Sequence, residues 1–264
     1  MQNAIVVENV GKRYFRGNPN RPQTIHEMLL RGIRGICSSE PFWGLRGVSF
    51  SVPRGSMLGV IGRNGAGKST LLRLLGAVDF ADEGSVHTTG RVEGLLSLGA
   101  GFHPELTGRE NVFVSGVVHG RTRAEVRRQF DSIVAFAEVE QFIDSPLRIY
   151  STGMAMRLRF AVAVHMQPEI LLIDEVLAVG DAAFQEKCLE RIRQFRESGS
   201  TIVLVSHAVE PIRQMCNEAI WLDAGSVAAQ GAPELVIRQY LNATKGPSFE
   251  KAAVRPARAR RVGS

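Results

Sequence analysis

The apolar run Leu58-Gly-Val-Ile61 passes directly into Gly62-Arg63-Asn64-Gly65-Ala66-Gly67-Lys68-Ser69, and no other stretch constrains the fold as tightly. The segment fits G-x-x-x-x-G-K-[ST], a strand-to-helix loop. Glycines at 62, 65 and 67 leave the backbone free to turn consecutive N–H groups inward, a concavity that suits anionic oxygens. The run Ser69-Thr70-Leu-Leu-Arg-Leu-Leu75 is rich in helix formers, so the loop opens a helix whose positive N-terminal end favours the same anion. Strand before and helix after make a chance match a poor account, and the expected ligand is a nucleoside triphosphate. Lys68 would then lie near its β- and γ-phosphates, and the Ser69 hydroxyl is placed to ligate Mg2+.

At 264 residues and 44% hydrophobic content the chain can bury one large core or two small ones. Cys37, Cys188 and Cys216 are widely spaced, odd in number and lack a C-x-x-C pair. Neither a zinc site nor a disulfide framework is supported, and a reducing cytosolic compartment is expected. The N-terminus lacks a basic-then-apolar signal, and no apolar stretch approaches the ~20 residues that span a bilayer. A membrane role must therefore come through a partner. The net charge of +6 partly reflects the tail Lys251-Ala-Ala-Val-Arg-Pro-Ala-Arg-Ala-Arg-Arg261. Contact with anionic lipid or nucleic acid is one reading of that tail; a solvated, disordered end over 246–264 is the favoured one, and no nucleic-acid partner is expected.

From Val48 to Val205 strand-like and helix-like segments alternate, the pattern of an α/β protein with a mainly parallel sheet. Strands are expected at 58–61, 170–173, 201–205 and 220–222. The second ends in Asp174-Glu175 and the third in Ser206-His207. Ligands of open α/β sheets gather at the carboxyl ends of strands, so these residues are candidates to share a crevice with the loop. Between about 103 and 166 the pattern is helical. Thr107-Gly-Arg-Glu110 and Thr122-Arg-Ala-Glu125 fit the capping box, Gly120 closes the first helix, and Val126, Phe130, Ile133, Val134 and Ala137 form a core-facing stripe on the second. This block reads as a helical subdomain inserted into the core. Residues 16–42 read as a further insertion with a short apolar helix near 25–33, the strand signal breaking at Arg16 and resuming near Leu45. A hairpin is expected with its turn at Ala224-Gly225, and Pro233 suits the first turn of a closing helix.

Ile170-Leu-Leu-Ile-Asp174-Glu175 has the form of a Walker B segment. Asp174 would hold Mg2+, and Glu175 would orient and deprotonate the attacking water. Phosphoryl transfer to water asks for in-line positioning and charge stabilisation more than covalent chemistry. Standing alone the two acids would read as a solvated pair; Lys68 upstream reverses that preference.

Tyr150-Ser151-Thr152-Gly153-Met154 resembles the Leu-Ser-Gly-Gly-Gln signature of ATP-binding cassette (ABC) proteins, and Arg157 falls where that family has an arginine after the signature. On the same resemblance Ala178-Val-Gly-Asp181 stands as the D-loop and His207 as the switch histidine at the γ-phosphate. Tyr14 matches the aromatic residue that stacks on adenine, although the adjacent Phe15 leaves a core role open for either. Three phrases narrow the likeness: Leu95-Leu-Ser-Leu-Gly-Ala-Gly-Phe-His-Pro-Glu-Leu-Thr-Gly-Arg-Glu-Asn111, Tyr150 to Phe160, and Asp174-Glu-Val-Leu-Ala-Val-Gly-Asp181. Together they look like the ATPase subunits of polysaccharide exporters, the Wzt-type group of O-antigen, teichoic-acid and galactan export. The similarity covers about residues 4–245.

The resemblance implies a P-loop NTPase core of ABC-cassette type with an inserted helical subdomain and an antiparallel β part. It implies ATP bound by residues 62–70, with Arg63, Asn64, Ala66 and Thr70 in the loop, and Mg2+ on Ser69 and Asp174. Two copies would pack head to tail, so that Ser151 and Gly153 of one close over ATP on the other. Closure would drive an integral membrane permease that exports a lipid-linked polysaccharide, placing the chain at the cytoplasmic face of the membrane. Two departures stand out. Leu98 lies near the position of the Q-loop glutamine, and Thr152 and Met154 replace Gly and Gln of the signature. A soluble ABC ATPase acting on ribosomes or DNA would pair two cassettes or insert a long coiled coil, and neither appears. A regulatory nucleotide-binding module is disfavoured by Glu175 and His207, and an importer ATPase by the phrase at 95–111.

Overall fold

A computed structural model describes residues 2–15, 41–95, 99–174 and 180–245. Two sheets share the work of presenting the phosphate loop. The three-stranded one is antiparallel, with β1 (Asn3–Phe15) between β2 (Pro41–Pro53) and β4 (Glu83–Thr88). In the six-stranded sheet β5 (Val92–Gly94), β6 (Ile170–Ile173), β7 (Thr201–Val205), β3 (Met57–Ile61) and β8 (Glu218–Asp223) run parallel in that order. An antiparallel β9 (Ser226–Gly231) closes the edge. Every residue of β3, β6 and β7 is buried, because both faces of this sheet are covered; that is why these strands read as unbroken apolar runs rather than alternations. The β8–β9 turn falls at Ala224 (φ 45°) and Gly225 (φ 83°), the left-handed pair a two-residue hairpin needs.

The expected strands at 58–61, 170–173, 201–205 and 220–222 all lie within observed ones. The strand after the first gap differs: it resumes at Pro41, not near Leu45, because Pro41 and Phe42 pair with Phe15 and Tyr14. Residues 16–40, including the helix expected near 25–33, lie outside the described residues, as do Leu98, Glu175, Ala178 and the tail from 246.

Helix α1 (Lys68–Leu75) follows the loop, and α2 (Gly108–Val118), α3 (Arg123–Ala137) and α4 (Thr152–His165) form the helical block. Both capping boxes are present: Glu110 and Glu125 each accept the N–H of the capping threonine at 2.8 Å, while the threonine hydroxyl accepts in return. Gly120 (φ 73°) ends α2, with Gly120 N–H donating to Val117 O and Arg121 N–H to Gly116 O, both at 2.9 Å, a Schellman closure. The expected stripe of α3 is its buried face. Helices α5 (Ala182–Glu197), α6 (Val209–Met215) and α7 (Pro233–Lys245) complete the described chain, Pro233 opening the last.

Three apolar clusters result. One lies under α1, joining the antiparallel sheet to the parallel one through Val10, Leu45, Leu71 and Val203. A second covers the opposite sheet face with Phe160, Phe184, Ile192 and Ile212. The third sits inside the helical block around Val112, Ile133 and Leu158. Helix α4 serves the last two at once, since Phe160 and Val164 face the sheet cluster while Leu158 and Val162 face the helical one.

Candidate functional site

The loop 62–67 leaves the carboxyl end of β3 and is fixed from two sides. Gly225 N–H donates to Ala66 O at 3.1 Å, and Arg46 N–H donates to Gly225 O at 2.8 Å, so the β8–β9 turn clamps the loop against β2. The three glycines meet different demands. A side chain at Gly62 would stand 2.4 Å from Leu222 O, so this position is small because β8 passes against it. Gly67 combines φ 102° with a Cβ position 2.6 Å from Gly44 O. Gly65 has φ 82° and nothing within 4 Å, so its requirement is conformational alone and its face is open. The expectation that all three serve backbone conformation thus holds for Gly65 and Gly67 and is corrected for Gly62, where close approach is the reason.

A crevice of about 500 Å³ opens over this loop. Asn64, Gly65, Gly67, Lys68, Ser69 and Thr70 line it from below, and Asp174 at the end of β6 lines it from the side. Gly67 caps α1 without a side-chain hydrogen bond, and the first turn carries no acid, so the helix presents bare N–H groups to the crevice. Lys68 is 7% exposed; its Nζ donates to Gly62 O at 2.8 Å and Arg63 O at 3.1 Å. Burial pushes the Lys68 ammonium below its ordinary value, opposed by Asp174, and burial pushes the Asp174 carboxyl up, opposed by Lys68. The two charges therefore sense each other across a partly desolvated site. Asn64 also lines a second, more open cleft with Gly62, Arg63, His207 and Tyr240. His207 thus lines a different cleft from Tyr14.

Tyr14 lines the rim of the first crevice, resting its ring on Gly44, where a Cβ would lie 2.7 Å from the ring, and donating to Asp79 Oδ2 at 3.3 Å. Phe15 points the other way and is 68% exposed, so neither aromatic is core. Phe42, Trp43, Gly44 and Ala224 also line this crevice, and sequence reasoning missed them. Their signal was the doublet Phe42-Trp43 before Gly44, hidden by assigning Phe42 to the insertion. Tyr240 was missed in the second cleft.

Ser151 and Gly153 are elsewhere. Ser151 caps α4, its Oγ accepting from Met154 N–H at 3.1 Å, and both residues are exposed. Neither lines the cavities named above. A Cβ on Gly153 would meet only Ser151 Oγ, at 3.8 Å. Asp181 caps α5, accepting from Phe184 N–H at 3.0 Å. That backbone bond, with Arg157 as a further cause, holds its carboxyl below the usual range. The structure thus gathers Tyr14, the loop, Ser69, Thr70, Asp174 and His207 around two adjoining clefts, and leaves Ser151, Gly153 and Asp181 on other surfaces of the same chain.

The sequence model of the ABC transporter family matches residues 45–178, spanning both the phosphate loop and Asp174. The chain belongs to the ABC transporter family. Among relatives of this ABC chain is the O-antigen export system ATP-binding protein RfbB of Myxococcus xanthus, 44% identical over 95% of the chain and 57% of the relative. The protein of the same name from Klebsiella pneumoniae is 45% identical over 79% of the chain and 85% of the relative. The chain therefore spans little more than half of the Myxococcus protein. In fold it matches a dimeric ATP-binding cassette in a post-hydrolysis state bound to ADP and Pi. The TM-score there is 0.68 at 22% identity, over 87% of the chain and 98% of the cassette. The two sheets with a helical block are thus those of an ABC cassette, and the family binds nucleotide.

Proposed function

We propose that the chain is the ATPase subunit of an exporter that moves a lipid-linked polysaccharide across the cytoplasmic membrane through a separate permease. The observation that carries this reading is 44% identity to an O-antigen export ATP-binding protein over 95% of the chain, with the phosphate-loop crevice intact. Among the described residues no helix is long and apolar enough to cross a membrane, so the reading assigns passage to a partner.

The crevice fits ATP and Mg2+. Gly65 leaves open space, the N–H groups of α1 are uncapped, and Lys68, Ser69 and Asp174 all line the crevice. In this reading the loop 62–67 and Lys68 hold the phosphates, Tyr14 takes the base, and Ser69 and Asp174 hold Mg2+. When bound, the ion supplies charge neutralisation of the transferring phosphoryl group. Glu175 accepts the proton of the attacking water, and His207 holds the γ-phosphate from the second cleft. Ser151, Gly153 and Asp181 act on the nucleotide of a second copy, which accounts for their exposure away from the chain's own loop. ATP favours the closed pair over the open one, and hydrolysis removes that preference.

The test is affinity purification of the tagged chain from detergent-solubilised membranes, followed by ATPase assay. A polytopic membrane protein is expected to co-purify, and turnover is expected to disappear in Glu175→Gln while ATP binding persists. Recovery with ribosomes or DNA alone, or normal turnover in Glu175→Gln, would overturn the reading.

A further inference from the structure

Three elements meet at one guanidinium. Arg157, in the second turn of α4, donates from Nη1 to Glu138 Oε2 and from Nη2 to Asp181 Oδ2, each at 2.7 Å. Glu138 ends α3 in the left-handed conformation (φ 58°). Its other oxygen accepts from Lys187 Nζ at 3.0 Å, and the same ammonium donates to Phe136 O at 3.0 Å. Asp181 is the cap of α5, and the Phe184 ring of that helix lies 4.9 Å from the Arg157 guanidinium. Two carboxylates and two cations thus form a neutral cluster over an aromatic face.

A single exposed ion pair contributes little. Here the fork is only 20% exposed, is shared by two carboxylates and is stacked on a ring, so its planar geometry fixes where Glu138 and Asp181 stand relative to each other. Cohesion between α4 and α5 does not need it, since Phe160 and Phe184 already pack edge to face at 6.2 Å. What the fork adds is alignment. It sits six residues after Ser151 on the same helix, and Asp181 follows the strand-end Asp174 by seven.

We propose that Arg157 is a positioning residue that locks the exposed, Ser151-bearing end of α4 to the cap of α5 at Asp181, so that the two surfaces offered to a second copy keep one fixed relation. This rests on the dimeric reading above. Asn caps a helix as well as Asp, so Asp181→Asn removes the charge and spares the cap, and Glu138→Gln removes the other arm of the fork.

The experiment measures ATP turnover of the full chain for wild type, Arg157→Lys, Arg157→Gln, Asp181→Asn and the Arg157→Gln/Asp181→Asn double variant, with binding of a fluorescent ATP analogue and thermal midpoints alongside. Arg157→Gln and Asp181→Asn should each lower kcat about tenfold, and the double variant no further, because both remove one coupling. KM and analogue affinity should stay within about twofold, and Arg157→Lys should recover part of kcat. Additive losses in the double variant, a rise in KM matching the fall in kcat, or wild-type turnover in Arg157→Gln would overturn the proposal. Should Arg157→Gln fail to fold, Glu138→Gln decides the same point, because Glu138 has no direct role at the nucleotide: kcat unchanged there rejects the proposal. Absence of turnover in the wild type would reject the ATPase reading instead.

Discussion

Asp174 and Lys68 are held in the crevice at an electrostatic cost that can be read in its pH dependence. Burial raises the Asp174 carboxyl above its ordinary 3.8 even though Lys68 pulls it down. Between 3.8 and the raised value the native state binds more protons than the unfolded chain, so this group's contribution falls as pH rises through that window, and its cost is fully present above it. Lys68 runs the other way: between its lowered value and 10.5 the unfolded chain binds more protons, so its cost is relieved only on the alkaline side. Asp174→Asn should therefore raise the thermal midpoint of the nucleotide-free protein at pH values above that window while removing turnover. Thermal denaturation checks this, and the gain should vanish as pH falls below the ordinary carboxylate value. Lys68 and Asp174 were legible because a motif and a strand-end position name them. Trp43 was not, since a lone aromatic doublet gains meaning only when Phe42 pairs with Tyr14 across a long intervening segment whose pattern gives no strand.

At the scale of elements, legibility follows how local the stabilising interaction is. The starts of α2 and α3 could be placed because each capping box lies within four residues. Thr122→Ala should lose about 1 kcal/mol and Thr122→Ser should recover most of it, measured by urea unfolding. An unchanged midpoint in Thr122→Ala would mean that tertiary packing alone holds the α3 start. Helix α4 gave no periodic stripe, and the reason is visible in its burial: from Leu158 to His165 seven of eight residues are buried, divided between the helical cluster and the sheet cluster. A helix covered on several sides has no apolar face to detect. Strand β4 escaped detection for the opposite cause, being largely exposed at a sheet edge, and β5 has only three residues.

Across the whole molecule the parallel core was readable from unbroken apolar runs, whereas the antiparallel sheet was expected only through family resemblance. Its strands pair over long separations, Gly11 with Glu83 for example, and no local pattern encodes that. The phosphate loop belongs to the sheet, held by β2 and the β8–β9 turn, while Ser151 and Gly153 sit at the exposed end of a helix built into the helical block. One chain therefore shows a phosphate-loop crevice and, on another surface, the exposed N-terminus of α4 capped by Ser151. In the dimeric reading proposed above, a second copy placed head to tail brings the two surfaces together. With ATP and Mg2+, the Glu175→Gln chain should sediment at twice the monomer mass, and Lys68→Ala, which loses phosphate binding, should remain monomeric. Gly153→Asp separates the two halves of the site. The Cβ it adds meets only Ser151 Oγ, at 3.8 Å, so the chain should fold and its own crevice should still bind the fluorescent ATP analogue. Its carboxylate, however, would face the phosphates of the partner's nucleotide, and like charges at that distance oppose closure. In the Glu175→Gln background, Gly153→Asp should thus bind ATP and sediment as a monomer. A dimer that survives Gly153→Asp would place the helix end outside the interface.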